Sequence, residues 1–385
     1  MDDVAEAPLP GGAPQAQGVA PTQAGDRTPL YSVVIPHYQQ PDLLERCLES
    51  LMAQENPPPF EVIVVDNASK EMPTAVCARF PQVHLLLETI KGPGPARNMG
   101  AREARSPVIV FLDSDSVADP DWLAVVHRTV TARPDCGIFC GDVRILPIDQ
   151  KAMNAVECYE ELFAYRCELM IKKFKFAPTA NLAVRKDLFE GIGPFISGLL
   201  ISEDVEWGQR AHGLGHEIAF VADMQIATPA RETWADVKRR WDPQVGQQHA
   251  EMVRQPFGKL RFLAKTLAMP VSPLAPGVLR SRRVPGLREK MLAMVCLTQM
   301  RLWRTWRMIQ LLVGAVEDEW LAGAWRRTPA TPTTPNRWER ALRPLALQFR
   351  AFGVNLLAAY PSRILPAHGR NMANCSLVTR CKWPR

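Results

Sequence analysis

An apolar run, Val110-Phe111-Leu112, ends in Asp113-Ser114-Asp115, with Asp119 and Asp121 close behind. Two carboxylates at i and i+2, where a strand hands over to a turn, can share one divalent cation, directly or through its waters. Mg2+ and Mn2+ favour oxygen ligands, often take only one or two carboxylates, and leave the other positions to substrate phosphates. Asp113 and Asp115 are therefore candidate ligands for a metal–diphosphate. Helix capping also accounts for Asp115, Ser116 and Asp119, since Asp and Ser are favoured there, and spacing alone leaves both readings open. A second acidic pair, Glu203-Asp204, follows Gly198-Leu-Leu-Ile201 and opens a helical period with Trp207 and Arg210. Acids at a helix start also offset the helix dipole with no substrate involved. Between the two pairs in function, if not in sequence, lies 91–100 (KGPGPARNMG), whose glycines beside a helix start suit close approach to an anion. A plain tight turn followed by a solvated Arg97 fits the same letters.

Elements must bring these side chains together. Residues 31–36 (YSVVIP) read as a strand, and the stretch after Pro41, with Leu43, Leu44, Cys47, Leu48 and Leu51 on one face, as a helix. Residues 60–66 (FEVIVVD), 83–88 (VHLLLE) and 107–113 (PVIVFLD) continue the strand series, with helical segments between. This order predicts an α/β fold, a parallel sheet with helices on both faces. Ligands of such sheets bind beyond the carboxyl ends of the strands, so Asp66 and Asp113 should project into one crevice. Residues 138–146 (IFCGDVRIL) predict another strand, followed by a helix around 152–170, a glycine-rich segment near 191–198 and a closing strand over 216–222 (HEIAFVA).

In order and spacing, 32–51 (SVVIPHYQQPDLLERCLESL), 60–69 (FEVIVVDNAS), 92–104 (GPGPARNMGAREA) and 110–123 (VFLDSDSVADPDWL) resemble the GT-A glycosyltransferases, specifically their family 2. Residues 178–195, 202–215 (SEDVEWGQRAHGLG) and 228–234 (TPARETW) extend the match to about residue 250. The resemblance implies a Rossmann-like nucleotide-binding sheet and inverting transfer of one sugar from a nucleotide sugar, a UDP-sugar, with Mn2+ or Mg2+ as cofactor. It places Asp66 on the nucleoside, Pro36 and Tyr38 around the base pocket, Arg97 near the nucleotide, and Asp113 and Asp115 on the metal–diphosphate. His37, without a partner in sequence, reads as packing. Asp204, beside Glu203, matches the general base that deprotonates the acceptor hydroxyl. Arg240 and Trp241 fall on the acceptor side, and the implied acceptor is a glycan or a polyprenyl-diphosphate-linked glycan in polysaccharide or glycoconjugate biosynthesis.

Two departures matter. Related enzymes often carry a metal-binding His where this chain has Thr228, and threonine is a poor Mn2+ ligand. A catalytically degenerate nucleotide-sugar binder is thus one alternative. Processive synthases carry Q-x-x-R-W, whereas this chain reads Val237-Lys-Arg-Arg240-Trp241, which favours single-sugar transfer.

The chain has 385 residues, 47% of them hydrophobic, and a net charge of +6, enough for a full core and too modest a charge to suggest nucleic acid. Nine cysteines with no C-x-x-C pair fit a reducing compartment. Acids and prolines fill 1–29, expected to be a disordered tail with no secretory leader. The catalytic domain is expected over 30–250, a basic amphipathic helical extension over 251–326, and a Pro/Arg-rich, largely disordered tail over 327–385. Within 288–316, Arg301, Arg304 and Arg307 recur at helical spacing among tryptophan and aliphatic residues. Such a helix suits an anionic membrane surface; packing on the catalytic domain with solvated arginines fits equally. A protein tethering membrane or nucleic acid through its basic tail is the other alternative. The expected location is cytoplasmic, with peripheral contact at the inner face of the membrane.

Overall fold

The computed structural model describes residues 28–149, 152–197, 203–231, 233–270, 275–284 and 286–316, leaving aside the side chains at 240, 243, 244, 247, 251 and 275. The expected tails lie outside these residues, apart from Thr28 and Pro29.

Strands β1 (Tyr31–His37), β2 (Phe60–Asp66), β3 (Val83–Leu87) and β4 (Val108–Leu112) pair in parallel in the spatial order β3-β2-β1-β4. The Val-, Ile- and Phe-rich runs of β1, β2 and β4 are buried almost throughout, as strands covered on both faces require. Helices α1 (Pro41–Met52), α2 (Thr74–Cys77) and α3 (Pro93–Glu103) make the connections. On α1, Leu44, Cys47, Leu48 and Leu51 are buried; each such leucine contributes roughly 2 kcal/mol.

Beyond β4 the sheet becomes mixed. β7 (Asn181–Arg185) lies antiparallel between β4 and β6 (Ile138–Leu146), β8 (Ile218–Pro229) runs parallel to β6, and β5 (Val117–Ala118) pairs antiparallel with β8. The result is one mixed, eight-stranded sheet flanked by helices, β3-β2-β1-β4-β7-β6-β8-β5. β7 is too short to announce itself: its five residues match the five of β4 and no more. β8 extends beyond the expected 216–222 because a register shift at Gly141/Asp142 lets Gln225 to Pro229 keep pairing with β6. Glycine is required there, since a Cβ on Gly141 would collide with the Met224 carbonyl oxygen and the Asn181 amide. Asn181 locks this junction: its Nδ2 donates to the carbonyls of Asp142 at 3.0 Å and Met224 at 2.8 Å, and its Oδ1 accepts from the buried Trp122 indole at 3.0 Å.

Trp122 opens α4 (Trp122–Ala132). The expected helix near 152–170 comes in three pieces, α5 (Ala155–Phe163), α6 (Cys167–Leu169) and a π-helical turn, Met170–Phe174. An Asn154–Glu157 capping box starts α5. α7 (Lys186–Ile192) and α8 (Glu203–Gly213) follow, then α9 (Trp234–Val253), α10 (Gly258–Ala268), α11 (Ala275–Arg280) and α12 (Leu287–Leu312).

The described residues divide into two compact units, one reaching Val237 and resuming over Ala264–Trp306, the other comprising Lys238–Leu263 and residues 307–316. In the first, Arg283, just before α12, donates to Glu161 and Asp142 at 3.1 Å and to the Val143 carbonyl at 2.8 Å. The basic stripe of α12 is neither solvated nor free: Arg301 donates to the Met269 carbonyl at 2.6 Å, and Arg304 is half-buried. In the second unit, Arg307 holds both oxygens of Asp242 at 3.1 Å. Among the described residues no helix is long and apolar enough to cross a membrane. The seven described cysteines are buried and free.

Candidate active site

The site is built on Arg97. Gly92, at φ 128°, turns the chain into α3, and one turn later Arg97 lies buried, 4% exposed, rather than solvated. Its Nη2 donates to Asp113 Oδ1 and its Nη1 to Glu203 Oε1, each at 2.7 Å. Burial works against the guanidinium charge, but Asp113 and then Glu203 outweigh it and raise its pKa. Arg97 Nε is buried with no partner. Residues from β4, α3 and α8, distant in sequence, thus meet at one cation. The start of α8 is steadied from behind: Asn98 exchanges hydrogen bonds with the Phe195 backbone at 2.8 and 2.9 Å, and the Trp207 indole donates to the Gly193 carbonyl at 3.0 Å.

Glu203 is therefore held in an ion pair with Arg97. Asp204 has the basicity. Burial, then the charge of Glu203, push its carboxyl up to about 6, with Arg97 pulling the other way. Asp204 makes no ion pair among the described residues, and its Oδ1 accepts from the Val205 amide at 2.8 Å.

Asp113 follows directly on β4 and keeps 31% of its side chain exposed. The Ser116 amide returns to the Asp113 carbonyl at 3.0 Å, closing the turn that carries Asp115. Burial, then the charge of Asp113, push the Asp115 carboxyl up to about 6; Arg231 and a hydrogen bond with the Thr228 side chain oppose this. Asp115 thus lies buried beside a second carboxylate, and Asp113 is paired with Arg97. That donor set fits a divalent cation bound by two carboxylates and completed by diphosphate and water oxygens. Among the described residues no group of three or more His, Cys, Asp or Glu forms a ready-made cage. Thr228, the departure noted in the sequence, lies within β8 and supports Asp115 instead of standing idle.

At the other side of the crevice, β1 and β2 end in register at His37 and Asp66. His37 Nδ1 and Asp66 Oδ1 are 2.8 Å apart, and His37 Nε2 accepts from the Gln40 amide at 3.2 Å, so the proton sits on Nδ1 and is donated to Asp66. Asp66 Oδ2 accepts from the Ser69 amide at 3.0 Å. Packing alone does not describe His37, and Asp66 shows no surface on which a base could rest. Pro36 is partly buried and Tyr38 is 51% exposed. The pairing was hidden from sequence because the partners are 29 residues apart, although both end predicted strands. Trp241 is half-buried on α9; the Arg240 side chain lies outside the described residues.

The profile of the family described as glycosyl transferase family 2 matches residues 32–191. Glycosyltransferase AglE of Haloferax volcanii is 29% identical over 225 residues, 57% of this chain and 73% of that protein. Succinoglycan biosynthesis protein ExoO of Rhizobium meliloti is 40% identical over 101 residues, 26% of this chain and 29% of that protein. Among solved structures, the mannosyltransferase PcManGT of Pyrobaculum calidifontis, in complex with GDP-Man and Mn2+, is 19% identical with a TM-score of 0.48, covering 76% of this chain and 88% of that one. The aligned stretch thus spans most of AglE but less than a third of ExoO. Residues 32–191 thus carry a glycosyl transferase family 2 domain, and with the glycosyltransferase AglE among its relatives the chain is a glycosyltransferase.

Proposed function

We propose that the protein transfers a single sugar from a nucleotide sugar, a UDP-sugar by the resemblance, to a hydroxyl of a glycan or lipid-linked acceptor, with inversion at the anomeric carbon. One observation carries this: a single guanidinium satisfies Asp113 and Glu203 at 2.7 Å each, while adjacent Asp204 is left basic, at about 6. The acids divide into a diphosphate side, Asp113 and Asp115, and a base, Asp204.

In the proposed reaction Asp204 accepts the acceptor hydroxyl's proton as that oxygen bonds to the anomeric carbon. The bond from this carbon to the diphosphate oxygen breaks on the opposite face, and its electron pair leaves with the nucleoside diphosphate. Asp113 and Asp115 would hold Mg2+ or Mn2+, which when bound supplies positive charge for the departing diphosphate. Arg97, already committed to two carboxylates, acts as a positioning residue that aims Asp113 and holds α8. Asp66 anchors His37 and the Ser69 turn, shaping a base pocket whose exposed ring is Tyr38. That the Thr228 side chain supports Asp115 favours this reading over a degenerate site. Transfer of one sugar in polysaccharide or envelope glycoconjugate assembly fits the named role of ExoO.

Titration calorimetry of UDP and GDP into the protein, with and without Mn2+ and repeated with Asp115→Ala, tests the donor side. We expect Mn2+-dependent UDP binding that the substitution abolishes. Binding of neither nucleotide with Mn2+ present sinks the metal–diphosphate reading, and preference for GDP replaces the uridine donor.

A further inference from the structure

β6 and β8 begin side by side, Ile138 opposite Ile218, at the end of the sheet away from Asp113. A cavity of about 520 Å3 opens there, walled by the start of β8, the turn after α8, the end of α4 and the π-helical turn. Arg133, Lys172, Lys175, His212 and His216 line it, against Glu168 and Glu217. Lys172 is paired with Glu168 at 2.6 Å. Among the described residues, the side chains of Arg133, Lys175, His212 and His216 have no hydrogen bond or ion pair, so the excess of positive charge is uncompensated.

The lining is basic and its surroundings are apolar and exposed. Phe174, on the π-helical turn, is 46% exposed, and Leu214, just after α8, is 57% exposed. Gln209 Nε2 donates to the Phe174 carbonyl at 3.2 Å, tying the turn to α8. The Lys173 ammonium stands 5.5 Å over the Phe174 ring, and Lys175 closes the turn in a left-handed conformation at φ 60°. Residues 172–175, Lys-Lys-Phe-Lys, are all exposed.

We propose that this face docks the protein on an anionic lipid surface: headgroup phosphates enter the cavity against Arg133 and Lys175, and Phe174 and Leu214 enter the boundary between headgroups and acyl chains. A soluble polyanion would use the same charges but has no use for the two exposed apolar side chains. Membrane contact thus falls on the π-helical turn and the end of α8, not on the α12 stripe, whose arginines are engaged within the fold. The inference is independent of the sugar-transfer reading, since its readout is vesicle binding.

The test is sedimentation of the full chain with vesicles of phosphatidylcholine alone or with phosphatidylglycerol added. Binding should require phosphatidylglycerol and weaken at least about tenfold in Lys172→Glu/Lys175→Glu. Phe174→Ser/Leu214→Ser should also weaken it, at unchanged net charge. Lys70→Glu/Arg102→Glu, an equal charge change elsewhere, should have much less effect; circular dichroism and melting temperature establish that each variant is folded. The proposal is overturned if the wild type ignores phosphatidylglycerol, if both charge pairs weaken binding equally, or if neither the lysine nor the apolar pair matters. Stabilisation by inorganic phosphate without vesicle binding would identify a soluble-anion site and overturn it as well.

Discussion

Asp204 binds its proton more tightly than an aspartate in water. Burial and Glu203 raise its carboxyl from an ordinary 3.8 to about 6. A carboxyl that binds its proton more tightly in the folded state contributes its full stability below the unfolded value and loses it as pH rises through the folded one. The window is therefore 3.8 to about 6, and above it the ionised acid strains the fold. Asp204→Asn should raise stability near neutral pH by about 1–2 kcal/mol, and the gain should vanish near pH 4, read by thermal unfolding at both values. The same change should lower transfer by roughly 10²- to 10⁴-fold while nucleotide binding persists. Wild-type activity should fall as pH drops through about 6. An Asp204→Asn variant that still turns over at the wild-type rate would remove Asp204 from the role of base.

At the scale of elements, the junction of β7 with β6 and β8 decides where the acids sit. β8 carries Thr228 to Asp115, and it can do so only because the bulge at Gly141/Asp142 restores its pairing. Asn181 satisfies two carbonyls and the Trp122 indole at that bulge. Asn181→Ala leaves three buried polar groups unpaired, each costing about 1–3 kcal/mol before relaxation. We expect a net loss of about 3 kcal/mol in denaturant unfolding, together with weaker metal-dependent nucleotide binding as Thr228 shifts. Stability within about 0.5 kcal/mol of wild type would mean that the junction does not depend on Asn181.

For the whole molecule, Ala264–Trp306 belong to the same compact unit as the sheet. Arg283 neutralises Asp142 and Glu161, and Ala293, Cys296, Leu297 and Met300 of α12 are buried. A fragment ending at residue 250, the limit of the sequence match, would expose that apolar surface and take from Asp142 its arginine, while Glu161 keeps Arg144; losing one partner of a buried pair costs about 3–5 kcal/mol. Set against a typical total of about 5–15 kcal/mol, this predicts aggregation or non-cooperative unfolding of the 28–250 fragment, whereas 28–316 should fold. Cooperative melting of both fragments at one temperature would contradict it.

What the sequence determined by itself is local. Strands β1, β2 and β6 ended within a residue of their expected limits because each is a dense Val/Ile/Phe run with polar or proline borders, and the buried face of α1 followed from 3.6-residue periodicity. The acids at 113, 115 and 204 stand out as candidates because residue type and motif spacing reside in the letters. Tertiary structure decided how those acids are charged and partnered. Arg97 meets Glu203 across 106 residues and His37 meets Asp66 across 29, and no period or propensity encodes such meetings. The antiparallel β7 and the long β8 were likewise invisible, since five residues carry too little pattern and a bulge is defined only by its neighbours. A pKa is a property of what surrounds a carboxyl, so the distinction between Glu203, held in an ion pair, and Asp204, its proton bound more tightly, exists only once the chain has folded.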